Sequence, residues 1–201
     1  MYKKNLDYLH SKLKYVKYIN SLDKNNIYVL YFSYSVSWKN IICSPLLIFT
    51  KLYSIISRKP LIDHTAHISR FVYDPELESF NAKIFEGIMS HGMVETDLWN
   101  KIRDVKGKVY IEDTGVKVDK SLAKIFENTY RGVAYSKLLA GVSALDFVDK
   151  KKIKQKGGFC SWLTTKFLIS QGFERLEKPN NVTPAELFQV KLGKKEIIWR
   201  K

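Results

Sequence analysis

Hydrophobic positions along this chain change their spacing several times, and each change predicts an element. Leu6, Leu9, Leu13 and Val16 recur at three, four and three residues, with Lys3, Lys4, Lys12, Lys14 and Lys17 between them. That spacing predicts a basic amphipathic helix over 2–22. From Ile27 to Val36 nearly every residue is β-branched or aromatic, which predicts a strand. A second helical pattern occupies 38–57, with Pro45 marking a start or a break. Residues 59–65 read as a loop. Strands follow over 66–73, turned by Asp74-Pro75, and over 81–89, turned by Ser90-His91-Gly92. A short strand is expected at 108–112.

The second half is more helical. Asp119 or Lys120-Ser121 opens a helix over 119–130, with Leu122, Ile125 and Phe126 expected to face inward. Residues 131–149 read as loop and helix, and Lys150 to Lys156 as a basic loop. Phe159, Trp162, Leu163, Phe167 and Ser170 then fall on one helical face, and Gly172 ends that helix. Thr183-Pro184-Ala185-Glu186 has the form of a capping box with proline at the first helical position. Phe188 to Leu192 and Glu196 to Trp199 flank Gly193-Lys194-Lys195 as a closing hairpin.

Composition narrows the picture. The chain has 201 residues, 45% of them hydrophobic. That is enough for one domain with a core and argues against global disorder. The expected division is a basic helical extension at 1–24 and a single domain at 25–201. The net charge is +14, and residues 1–60 hold ten Lys/Arg against two Asp/Glu. A front-loaded positive charge favours phosphate-bearing partners, nucleic acid or an anionic membrane surface, through the lysine-rich N-terminal region. Lysines run through the first 25 residues, and Lys39, Asn40 and Lys51 interrupt the apolar segment at 38–57, so neither a signal peptide nor a transmembrane helix is expected. The expected location is the cytoplasm or a virion. Cys43 and Cys160 make neither a disulfide framework nor a metal-knuckle spacing, and the sequence calls for no cofactor and no metal.

The candidate chemistry gathers around Cys160. It sits in the first turn of its predicted helix, after Gly157-Gly158. The unpaired N–H groups and the positive end of the helix dipole favour a thiolate there. A thiol nucleophile needs a base, and the base needs a group to orient it. On the strand at 66–73, His67 shares a face with Ser69, which leaves room for a neighbouring side chain. His64, one turn of loop earlier, competes for the same role. Glu86 lies among Ala82, Ile84 and Ile88 on its strand, and a carboxylate there needs a partner. The adjacent strand offers His67.

Three segments in this order resemble the permuted papain-like proteins of the NlpC-type superfamily, which includes lecithin–retinol acyltransferase-like proteins. His64-Thr65-Ala66-His67-Ile68-Ser69 is similar to the family's histidine strand. Ile84-Phe85-Glu86-Gly87 with Gly92-Met93-Val94 is similar to its acidic strand. Phe159-Cys160-Ser161-Trp162-Leu163 with Thr183-Pro184-Ala185-Glu186-Leu187 is similar to its cysteine helix and the following turn. Gly132-Val133-Ala134-Tyr135 resembles a glycine–tyrosine step before that helix. The resemblance spans roughly 27–192. It implies an α+β, permuted papain-like fold with a small antiparallel sheet packed against the cysteine helix. It further implies Cys160 as nucleophile, His67 as general base and Glu86 as the group orienting the imidazole. The implied activity is that of a cysteine hydrolase or acyltransferase working on an amide or ester bond of a peptide, peptidoglycan or lipid substrate. Trp162 departs from the family, many of whose members carry an acid at that place. The competing expectation is a non-enzymatic viral or phage structural or packaged protein whose basic surface binds nucleic acid or membrane.

Overall fold

Six antiparallel strands form one sheet, in the order β4-β3-β2-β1-β5-β6. The computed structural model describes residues 2–35, 55, 60–75, 78–136, 158–176 and 182–200. The expected helical segment at 38–57 (apart from residue 55), that at 138–148 and the basic loop at 150–156 lie outside them. The elements are α1 (Tyr2–Ser21), β1 (Asn26–Tyr34), β2 (His64–Asp74), β3 (Ser79–Ile88), β4 (Gly92–Asp97), α2 (Leu98–Arg103), β5 (Gly107–Lys117), α3 (Lys120–Tyr130), α4 (Cys160–Ser170), α5 (Pro184–Gln189) and β6 (Lys194–Arg200). Among the described residues the chain is therefore α+β, with a six-stranded antiparallel sheet and five α-helices. No helix among the described residues is long and apolar enough to cross a membrane.

The central strand β1 is buried on both faces, which is why it reads as an unbroken apolar run rather than an alternation. On one face Val29, Tyr31 and Phe85 pack with Phe159, Leu163, Phe167 and Leu168 of α4 and its N-cap. On the other, Tyr28, Leu30, Phe32, Ala66 and Ile84 pack with Tyr15 and Ile19 of α1 and with Leu98, Trp99 and Ile102 of α2. Period-two alternation thus sends odd and even positions of β1 to two separate cores.

Several local expectations hold and several are corrected. Asp119 caps α3 by accepting from Ser121 and Leu122 N–H. The capping box closes reciprocally at Thr183 and Glu186. Gly172 follows α4 at φ +92°, a conformation a side chain would disfavour. The buried stripe of α1 is Tyr15 and Ile19, whereas Leu13 is 60% exposed; Leu6 and Leu9 lie where only the backbone is described. In α3 the inward residues are Ala123 and Phe126, while Leu122 and Ile125 are 43% and 62% exposed. The cysteine helix has no polar face: Cys160 to Thr165, Phe167 and Leu168 are all buried, because the sheet, α3 and α5 enclose it. The closing hairpin does not form. Phe188 belongs to α5, and β6 pairs with β5. The buried Glu112 carboxylate fixes that path, accepting from Leu192 N–H and Gly193 N–H at 2.9 Å and pairing with Lys195.

Candidate active site

The first residue of α4 meets the first residue of β2. Cys160 opens α4 behind Phe159, which caps the helix through its extended backbone without a side-chain bond. Ser161 Oγ donates to Val182 O at 2.7 Å and Thr164 Oγ1 to Cys160 O at 3.1 Å. Thr164 Oγ1 also lies 3.3 Å from Thr65 Oγ1 on β2. These bonds fix the first turn of α4 against the strand. The close approach also depends on glycine. A Cβ at Gly87 would lie 2.9 Å from Met93 Sδ and 3.4 Å from Cys160 N, and one at Gly158 would strike the Trp162 ring at 2.2 Å.

His64 is the residue that joins Cys160 to Glu86. Its Nε2 lies 2.6 Å from Glu86 Oε2, and its ring is hydrogen-bonded to the Cys160 sulfur. With Nε2 on the carboxylate, Nδ1 is the nitrogen left for the sulfur. Register explains the pairing. Glu86 stands opposite Ala66, so His64, two residues before Ala66, shares its face. The small Ala66 side chain leaves the diagonal open.

His67 is placed elsewhere. It points to the opposite face, stacked on Phe167 with ring centroids 3.7 Å apart, with Phe85 and Phe126 around it. It is fully buried, and neither ring nitrogen has a hydrogen-bond partner among the described residues. The expected His67–Glu86 pairing is therefore corrected: the three-residue step between the histidines flips the side chain to the apolar side of the sheet. Of the three residues singled out in the sequence, the structure brings Cys160 and Glu86 together through His64 and leaves His67 out.

Glu86 has further partners that the sequence reading missed. Thr96 Oγ1 on β4 donates to Oε1 at 2.5 Å, and Lys101 Nζ on α2 lies 2.8 Å from Oε2. Tyr135 also lies by Cys160: burial first, then the interaction with the sulfur, hold its phenol well above the usual value. It is carried there by a short path in which Gly132 N–H donates to Met93 O, Met93 N–H to Val133 O, and Ser136 N–H to Gly158 O. Only the glycine–tyrosine step at 132–135 had pointed to it.

The charges follow from these contacts. Burial pushes the Cys160 thiol up, but the His64 charge and hydrogen bond, then the Thr65 and Ser161 N–H groups, bring it below its ordinary value. Burial opposes the His64 imidazolium, yet the sulfur and then Glu86 raise it to about 9. Burial works against the Glu86 carboxylate too, and His64 and Lys101 together lower it to about 2. His67 has burial alone, which lowers it to about 3. These shifts favour a thiolate beside an imidazolium, with a charged carboxylate behind. Such a site can attack an electrophilic carbon and then deliver a proton. Among the described residues no group of three or more His, Cys, Asp or Glu side chains is arranged to hold a metal ion.

Comparison with known protein families, curated proteins and solved structures finds no match to this chain.

Proposed function

We propose that this protein is a cysteine hydrolase or acyltransferase of permuted papain-like architecture, acting on an amide or ester carbonyl through an acyl-thioenzyme. The observation that carries the reading is the chain of contacts Cys160–His64–Glu86, with the sulfur at a helix start and the imidazole 2.6 Å from a buried carboxylate. The order of parts along the chain supports the architecture: histidine strand, acidic strand, then cysteine helix.

In this reaction the Cys160 thiolate adds to the carbonyl carbon, and the carbonyl π pair moves to oxygen. The Cys160 N–H, at the start of α4, and the Tyr135 hydroxyl are the donors we assign to the resulting oxyanion. The C–N or C–O bond breaks as His64 gives its proton to the leaving group. The neutral imidazole then takes a proton from water, or from an acceptor alcohol or amine, which attacks the thioester and frees the thiolate. Glu86 holds the ring so that one nitrogen faces the sulfur throughout. The His67 role expected from the resemblance passes to His64, because the site needs an imidazole that touches both partners. Peptide, peptidoglycan and lipid acyl groups all fit this chemistry.

p-Nitrophenyl esters of graded chain length provide the test. The expected result is a burst of nitrophenol, an acyl adduct mapped to Cys160 rather than Cys43, and loss of both in Cys160→Ala with the circular dichroism spectrum retained. Equal hydrolysis by Cys160→Ala and wild type on every ester cleaved sinks the proposal.

A further inference from the structure

We infer that Lys101 and Thr96 are positioning residues of the thiol site, acting through Glu86 and never touching the substrate; this rests on the reading of Cys160 as nucleophile. Glu86 is fully buried, and a buried carboxylate without donors takes up a proton rather than stay charged. A protonated Glu86 could no longer support an imidazolium on His64. The three donors divide the carboxylate between them. His64 and Lys101 share Oε2 at 2.6 and 2.8 Å, and Thr96 takes Oε1 at 2.5 Å. They come from three separate elements, β2, α2 and β4, so the carboxylate is gripped from three directions.

Lys101 has no other acidic partner among the described residues, and its ammonium sits 5.8 Å from the Phe32 ring, which itself lies against His64 at 5.4 Å. Phe32 thus floors both cations and keeps the lysine directed at the carboxylate. The placement of α2 is rigid. Asp97 caps it by accepting from Asn100 N–H, and Leu98, Trp99 and Ile102 are buried. Among the described residues, the other ionisable groups facing this cluster are Tyr34 from β1, Asp63 just before β2, Tyr135 ahead of α4 and Cys160 from α4. Among the described residues, only Lys101 adds a permanent positive charge to the cluster. Lys101 therefore holds Glu86 ionised independently of His64, so that the imidazole can gain and lose its proton during turnover without the carboxylate following it.

The test reads the pH dependence of Cys160 alkylation by iodoacetamide, resolved from Cys43 by peptide mapping, which needs no substrate. In Lys101→Met the acid limb of the rate profile moves to higher pH by about one unit, while the alkaline plateau changes little. Lys101→Arg restores the wild-type limb. Thr96→Val, which removes a donor without a charge, moves it the same way by less, and stands in if Lys101→Met does not fold. A merely structural lysine would lower the melting temperature and leave the limb in place. An unmoved or acid-shifted limb in Lys101→Met, an unmoved limb in Thr96→Val where that variant stands in, or failure of arginine to restore the limb, overturns the inference. If wild-type Cys160 itself reacts no faster than a free thiol at pH 6, the nucleophile reading fails instead.

Discussion

His64 and His67 lie three residues apart on one strand, and the fold treats them in opposite ways. His64 stands at the strand's end, with a sulfur on one side and a carboxylate on the other. His67 stands in mid-strand between aromatic rings, with no polar contact among the described residues. His64 is mostly buried and His67 fully so, yet one imidazole is raised to about 9 and the other lowered to about 3. Burial alone accounts for the second value. The first requires charged partners strong enough to overturn burial. Being buried therefore says little about whether a histidine does chemistry, and its partners say nearly everything.

The sharpest way to break this contrast is to remove each ring in turn. His64→Ala should lower the rate of ester cleavage by about 10²- to 10⁴-fold, the usual worth of a positioned general acid–base. His67→Leu should stay within about threefold of wild type, a change below any acid–base contribution. Measured kcat/KM on a p-nitrophenyl ester decides. Equal losses in the two variants would mean that the contrast between the rings does not govern reactivity.

Glu86→Gln comes next in size. It keeps the shape and one acceptor but removes the charge that faces His64 and Lys101. Breaking a buried ion pair costs about 3–5 kcal/mol. Lys101 keeps some contact with water, so the expected loss in urea denaturation is smaller, about 2–3 kcal/mol. A loss under 0.5 kcal/mol, roughly the scale of an exposed pair, would mean that the carboxylate is not the hub the geometry makes it.

Much of the fold was legible from local patterns, and the part that was not depends on register. The cap at Asp119, the box at Thr183 and Glu186 and the stop at Gly172 are short-range devices whose residues carry their own physics. β1 was legible because burial on both faces gives an unmistakable run. β4 was missed because Glu95, Thr96 and Asp97 make it polar, and α2 because six residues are too few to show a period. Cys160 and Glu86 could be picked out one at a time, the first by its helix start and the second as an acid among apolar neighbours. The choice of histidine could not be made that way. It depends on Ala66 lying opposite Glu86, a pairing between strands that no local window contains. Lys101 and Thr96 were hidden for the same reason.

The pH profile of activity tests the environment of His64 with a moderate expected effect. The thiolate–imidazolium pair persists from the lowered thiol value up to about 9, where the imidazolium gives up its proton. Ester cleavage should therefore show an alkaline fall centred near 9 whenever leaving-group protonation limits the rate. An alkaline limb centred near 6.5, the ordinary histidine value, would mean that the sulfur and Glu86 do not support the ring. Stability over the same range is less informative. Wherever the unfolded pair is thiol and neutral imidazole and the native pair thiolate and imidazolium, each holds one proton, so their contributions cancel there.

His67 offers the smallest effect and the cleanest sign. Its folded value of about 3 lies below the unfolded value of 6.5, so the unfolded chain binds the extra proton first. Its contribution to stability is present above pH 6.5 and is lost progressively as pH falls toward 3, with a slope approaching about 1.4 kcal/mol per pH unit. His67→Leu removes that slope, so the difference in stability between variant and wild type should widen in favour of the variant from pH 7 to pH 5. At pH 7 two terms oppose each other. Leucine gives up the stack on Phe167, worth about 0.5–1.5 kcal/mol. It also relieves a buried ring of two unpartnered nitrogens, a burden of about 1–3 kcal/mol. The net expectation is a gain of about 1 kcal/mol in urea denaturation. A variant clearly less stable than wild type at both pH values would mean that the ring nitrogens of His67 have partners after all, and that the apolar side of the comparison is not apolar.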